Sequence, residues 1–131
     1  MSFTLDIRKF ADNATGDIEK VIRGTSLAMF SSVILRTPVD TGRLRGNWQT
    51  SLNKPTDGTL ADTDAGGLSS ISKAKAALIS MKAGDTAHMT NNLPYALKIE
   101  EGGSDQAPAG MVRITVQEFQ KEVNKQVRKY K

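Results

Sequence analysis

Between Ile7 and Leu35 the apolar residues Ile7, Phe10, Ala11, Ala14, Ile18, Val21, Ile22, Met29, Val33 and Leu35 recur mostly at three- and four-residue steps. That spacing lines one stripe of a helix. It predicts one long helix from about Asp6 to Arg36, roughly 46 Å at 1.5 Å per residue, longer than a small domain is wide. Everything else in the chain must cover that stripe, and a helix of this length is expected to lean on a neighbouring subunit as well. Gly16 and Gly24 each weaken its interior by about 1 kcal/mol relative to Ala and mark where it would kink. Pro38 disfavours helix at Thr37, and Asp40-Thr41-Gly42 supplies the turn that stops it.

Beyond the turn, Leu44, Gly46, Trp48 and Thr50 alternate with Arg43, Arg45, Asn47, Gln49 and Ser51, which reads as a strand. Residues 53–67 are rich in Gly and Asp and carry no apolar period. They are expected to form a flexible loop, or one ordered only by a partner. A short helix follows over Ser69 to Met81 with Ile71, Ala74, Leu78 and Met81 inward, then a second strand from Thr86 to Asn91 pairing with the first. Leu93 to Glu100 reads as another short helix with Pro94 in its first turn and Gly102-Gly103 at its end. Val112, Val116, Phe119, Val123, Val127 and Tyr130 step by three or four and predict a final amphipathic helix after Pro108-Ala109-Gly110.

These elements predict a single α+β domain spanning residues 1–131, with the long N-terminal and the C-terminal helix packed on a small, mainly antiparallel sheet. A chain of 131 residues removes roughly two-thirds of its unfolded surface from water, enough for a core without staples. With no Cys, disulfides, thiolate metal sites and a cysteine nucleophile are excluded, and the chain suits a reducing cytosol. No apolar run reaches the ~20 residues that cross a bilayer, and Met1 to Asp6 lacks the pattern of a signal peptide. No membrane association is expected. The net charge of +4 is local: residues 112–131 hold six basic residues against Glu118 and Glu122, while residues 1–111 hold twelve of each sign. The cationic end of the last helix also complements the negative end of its dipole.

Catalytic and metal chemistry find no carrier in the sequence. His88 is the one imidazole and sits in a predicted strand, where a half-exposed strand residue is the simpler reading. Asp62-Thr63-Asp64 opens like a calcium loop, but Gly66 stands at the next ligand position and Lys73 where a bidentate Glu is required. No phosphate loop or dinucleotide fingerprint occurs. Glu100 and Glu101 are adjacent acids without a convergent partner, so no acid/base couple is marked. No enzyme activity, metal or cofactor is therefore expected. For nucleic acid, Arg8-Lys9, Arg43, Arg45 and the C-terminal cluster offer phosphate partners, but stacking aromatics are sparse and no helix-turn-helix pattern precedes the basic helix.

Three blocks stand in fixed order: Thr37-Pro38-Val39-Asp40-Thr41-Gly42-Arg43-Leu44-Arg45 with Trp48 beyond it; Asn91-Asn92-Leu93-Pro94-Tyr95-Ala96 with Ile99-Glu100 and Gly102-Gly103-Ser104; and Gln106-Ala107-Pro108-Ala109-Gly110-Met111-Val112. With the long first helix, this arrangement resembles the neck and tail-completion proteins of long-tailed bacteriophages, the group of lambda-type minor tail protein Z and similar head–tail joining components. The resemblance covers roughly residues 5–130. It implies a non-enzymatic virion protein, made in the host bacterial cytoplasm and assembled as a homo-oligomeric ring, a hexamer, between the tail tube with its terminator and the head connector. It further implies completion of the tail, joining to the head, and non-specific contact with DNA in the channel. A tail terminator or head–tail adaptor is the nearest alternative. A small basic nucleic-acid-binding protein using the final helix is the alternative of another class.

The residues of the blocks carry expectations of their own. Asp40 is placed to accept the amides of the Thr41-Gly42 turn, with Gly42 left-handed. Tyr95 has the amphipathic body of a core edge or interface. Glu100 is read either as a partner of Arg43 or Arg45 across a subunit boundary or as a solvated helix-end acid. Gln106-Ala107-Pro108 is a stiff lead into the last helix.

Overall fold

The computed structural model describes residues 1–6 and 18–130. Among them, six helices and one three-stranded sheet make the α+β domain: β1 (Ser2–Asp6), α1 (Ile18–Arg36), α2 (Arg43–Gly46), β2 (Gln49–Leu52), α3 (Leu68–Leu78), β3 (Thr86–Thr90), α4 (Ala96–Glu100), α5 (Val112–Val116) and α6 (Phe119–Lys129). The sheet order is β1-β3-β2 and both pairings are antiparallel, with Phe3 opposite Met89 and Gln49 opposite Thr90.

The first helix is therefore real from Ile18 to Arg36, but its expected start is corrected. Asp6 lies in β1, and the stripe from Ile7 to Ala14, with Gly16, lies outside the described residues. Ser2, Phe3 and Thr4 alternate across the sheet, with Phe3 buried and its neighbours exposed. Phe3 meets Phe30 of α1 edge to face at 5.5 Å, which pins strand to helix.

Buried Val21, Ile22, Thr25, Ser26, Met29, Phe30, Val33 and Ile34 occupy more than one side of α1, because α3 packs on it from one direction and α5 and α6 from others. The core beneath joins Phe30, Val33 and Ile34 to Trp48, Leu78, Met81, Met89 and Met111, all 2% exposed or less. With few aromatic residues, four of the five methionines fill the interior, where an unbranched thioether adapts to irregular gaps.

The strand expected over 43–51 begins only at Gln49, and Arg43–Gly46 is a helical turn closed by the Gly46 amide on the Gly42 carbonyl. Leu44 and Trp48 satisfy both periods, since i and i+4 share a face in a helix as well as in a strand. The third helix runs Leu68–Leu78, with Met81 just past it but still inward, and β3 follows the expected Thr86–Asn91 strand closely. The final helix is also corrected, because it is broken at Gln117-Glu118 into α5 and α6. The Thr115 hydroxyl donates back to the Met111 carbonyl four residues earlier, a bond that bends helices, and Arg36 reaches across to both Thr115 and Glu118. The expected apolar stripe divides with it: Val123 is buried, whereas Val116 and Val127 are 47% and 43% exposed.

Gly24 serves contact rather than bending. A Cβ there would stand 2.3 Å from Gln126 Oε1 of α6, so the missing side chain is the space in which α6 seats. Replacing Gly24 by Leu is expected to push α6 off α1 and cost about 1–3 kcal/mol in urea unfolding. An unchanged midpoint would mean that α6 contributes nothing to α1.

Candidate assembly site where the three blocks meet

The three blocks lie far apart in sequence, and side chain-to-backbone hydrogen bonds bring them to one place. Asn91, fully buried, donates from Nδ2 to the Leu44 carbonyl at 2.9 Å. Gln106 clasps Val39 twice, accepting the Val39 amide at 3.0 Å and donating to its carbonyl at 3.2 Å. Glu100 reaches forward into the third block: Oε1 accepts the amides of Met111 and Val112, both at 2.8 Å, and Oε2 accepts that of Arg113 at 2.9 Å. No side chain within α5 caps its own start, so this remote carboxylate does the work.

Both earlier readings of Glu100 are corrected by this geometry. The side chain is 8% exposed, neither solvated nor directed at an arginine of another subunit. Its capping requires Gly110, which has φ +85°; a Cβ there would fall 2.5 Å from the Glu100 carbonyl oxygen and 2.8 Å from Oε2. Gly102, at φ +95°, lets the chain turn back tightly against the Pro108 carbonyl after α4.

Arg45 is likewise internal. Its Nη2 donates to the Leu35 and Thr37 carbonyls at 3.0 and 2.8 Å, its Nε to Thr37, and its Nη1 to the Ala65 carbonyl at 2.7 Å. One guanidinium thus satisfies orphan carbonyls at the end of α1 and ties down the 53–67 segment. Trp48, 2% exposed, donates from its indole to Thr37 Oγ1 at 2.8 Å, and that hydroxyl donates in turn to the Val33 carbonyl.

At the turn, Gly42 is left-handed with φ +89°, as expected, and its close neighbour is the backbone of Ala65. The hydroxyl that accepts an amide there is Thr41, from Arg43, while Asp40 is exposed and takes no hydrogen bond of the turn among the described residues. A side chain two residues before the amide has the reach for this bond.

The 53–67 segment forms no regular element and is fastened by this chain's own groups. Asn47, fully buried, accepts the Leu60 amide and donates to the Leu60 and Arg43 carbonyls, and Asn92 donates to the Thr56 and Gly58 carbonyls. The expected strand alternation puts Asn47 on its polar face, and the structure buries it instead. Asp64 caps α3, accepting the Gly67 and Ser70 amides at 3.0 and 2.7 Å. Partial burial pushes its carboxyl upward, but the hydrogen bonds from Ser70, Gly67 and Ser69 outweigh that and hold it below the ordinary 3.8.

Beside the junction opens a cleft of about 300 Å³ lined by Val39, Arg43, Leu44, Tyr95, Ile99 and Ser104 among others. Ala96 and Met111 are buried beneath this region, while Pro94, Pro108 and Tyr95 face outward, Tyr95 at 41% exposure. The Arg43 guanidinium is exposed and makes no side-chain hydrogen bond or ion pair among the described residues. Of the two block arginines it is the one free to reach a neighbour. His88 lies apart, half-buried on the outer face of β3 with Nδ1 2.9 Å from Thr4 Oγ1. No group of three or more His, Asp or Glu among the described residues is arranged to hold a metal ion. No described helix is long and apolar enough to cross a membrane. No protein-family model, curated protein or solved structure matches the chain.

Two outcomes follow from these contacts. Glu100→Ala leaves three amides without an acceptor and is expected to cost about 2–4 kcal/mol, and Gly110→Ala at least about 1–3 kcal/mol. Because the second displaces the carboxylate that the first removes, the double variant should fall short of the sum, and strict additivity in a double-mutant cycle would refute the coupling. For Asp64 the lowered folded value means that its contribution is fully present above about pH 3.8 and fades as pH falls through the folded value. Asp64→Asn should therefore be destabilising at neutral pH, by about 1 kcal/mol for a weakened cap, with the gap to wild type narrowing as pH falls below 3.8. A gap that stays constant across that range would refute it.

Proposed function

We propose that the chain is a non-enzymatic structural protein of a long-tailed phage, completing the tail and joining it to the head connector as a ring of identical subunits, six in number. The observation that carries this reading is the convergence of the three resembling blocks. Residues separated by as many as 67 positions, Val39 and Gln106, are clasped together, and Val39, Arg43, Tyr95, Ser104 and Gln106, drawn from all three blocks, line one cleft. A junction of this kind gives a rigid surface for a protein neighbour, since its backbone is held by buried bonds from Asn91 and Glu100 and by the part-buried Arg45.

Exposed apolar side chains elsewhere supply contact area for neighbours. Leu68 and Ile79, at opposite ends of α3, are 76% and 72% exposed, and Leu97 of α4 and Leu35 of α1 are 57% and 54% exposed. Such residues in a small domain suit burial between copies or against the tail tube.

Electron micrographs of virions made without this protein should contain heads and tails that fail to join, or joined particles that do not infect. Complementation with Arg43→Glu should restore soluble, folded protein but not joined particles. Infectious particles of normal appearance in the absence of the protein would refute the reading. Density for it at the tail tip or inside the head would refute it equally.

A further inference from the structure

The excess positive charge of the chain belongs to its last segment, and the fold sorts that charge by side. On α6, Lys121, Lys125, Arg128 and Lys129 stand at i, i+4, i+7 and i+8, which places them on one face. Buried Val123 and Gln126 and half-buried Phe119 lie on the opposite face, against α1. All four cations are exposed and none is ion-paired among the described residues, although Lys129 Nζ rests 5.3 Å from the Tyr130 ring centre. The two carboxylates of the segment have other partners: Glu118 pairs with Arg36, and Glu122 accepts from Gln126 at 3.1 Å. The solvent side of α6 is therefore a cationic stripe, roughly 12 Å long at 1.5 Å per residue, and the two acids that share its face by helical spacing, Glu118 and Glu122, are engaged with Arg36 and Gln126.

We infer that this stripe is a sequence-independent binding surface for the phosphate backbone of duplex DNA. The inference rests on the assembly reading for the identity of the polyanion, and on the stripe itself for the chemistry. Three features favour nucleic acid over a protein neighbour. The stripe is mostly lysine, a residue depleted from protein interfaces, and it contains no apolar or aromatic anchor of the kind that carries protein–protein affinity. Of the other exposed residues beside it, Gln117, Gln120 and Asn124 are uncharged, and Glu118 is paired with Arg36. A duplex presents about one charge per 1.7 Å of axis, so a 12 Å row of cations meets several phosphates whatever the sequence. With no stacking ring on that face, contact is confined to the backbone.

The test uses the full chain and a duplex of about 30 base pairs, titrated from about 50 to about 200 mM salt. Four neutralised phosphates give a slope near −3.6 in log affinity against log salt, roughly a hundredfold loss over that range. The double variant Lys121→Gln/Lys125→Gln should flatten the slope by about 1.8 and shrink the loss to about tenfold, and Arg128→Gln/Lys129→Gln should do likewise. Lys54→Gln/Lys98→Gln, exposed cations off α6, should leave it unchanged. Because these side chains face solvent, the unfolding midpoint of each variant should match wild type.

No duplex binding by wild type at the lowest salt, or an unchanged slope in both α6 double variants, would overturn the inference. Binding to polyglutamate but not to the duplex would overturn it in favour of an acidic protein neighbour. The two readings fail separately. Normal particles without the protein would remove the assembly role and leave the DNA titration standing, whereas a flat titration would leave head–tail joining untouched.

Discussion

The carboxylate of Glu100 is the contact on which the junction depends. A helix as short as α5 does not form by itself, because one turn fixes several backbone angles for a single hydrogen bond. It has no capping side chain at its own start, and three of its first amides point at a group donated by α4, eleven to thirteen residues earlier. With those amides satisfied, α5 holds its place, Thr115 reaches Arg36, and the Arg36–Glu118 pair sets where α6 begins. The position of the last helix is thus inherited from a buried acid on another element. Burying a charge this deeply is costly unless hydrogen bonds replace water, and the amides do so.

The legible part of the fold was the part with a period. Three- and four-residue steps located α1, α3 and α6, and the glycines at 42 and 102 marked the turn after α1 and the end of α4, where φ is positive, a conformation few other residues adopt. Three features escaped, each for a physical reason. Residues 2–6 alternate for only five positions, too short a run to mark β1, and Asp6 at its end fits the start of the helical pattern that follows. Leu44 and Trp48 fit a strand and a helical turn equally, and only the closure of Gly46 on Gly42 decides between them. The break between α5 and α6 depends on Thr115 and on Arg36, which is 79 residues away, and no local window contains both.

The candidate site divides along the same line. The blocks could be picked out because their residue types are distinctive, but the roles of their members could not, since a side chain bonded to distant backbone leaves no periodic trace. Arg43 and Arg45 look alike in sequence; one spends its donors on the Leu35, Thr37 and Ala65 carbonyls and the other is open to solvent. The amide acceptor at the turn is Thr41 and not Asp40, a choice between adjacent short polar side chains that depends on distances alone. Asn47 falls on the polar face of the expected strand, since a polar residue between Gly46 and Trp48 gives no sign that it will be fully buried and fasten Leu60.

Charge follows a different logic from packing, because its effect depends on direction as much as on amount. Distributed over the surface, +4 on a chain of this size would do little beyond aiding solubility. Here the cap on α5 and the seat of α6 against Gly24 fix one apolar side of α6 on α1, which obliges the cations to share the other. In the ring we propose, each copy would repeat the stripe at the same height, and contacts too weak to matter singly would act together at high effective concentration. The ring we propose would need a passage that holds DNA without gripping any one sequence, so that the duplex can still move. Lysines on a rigid face would supply that combination: attraction to every phosphate, preference for none.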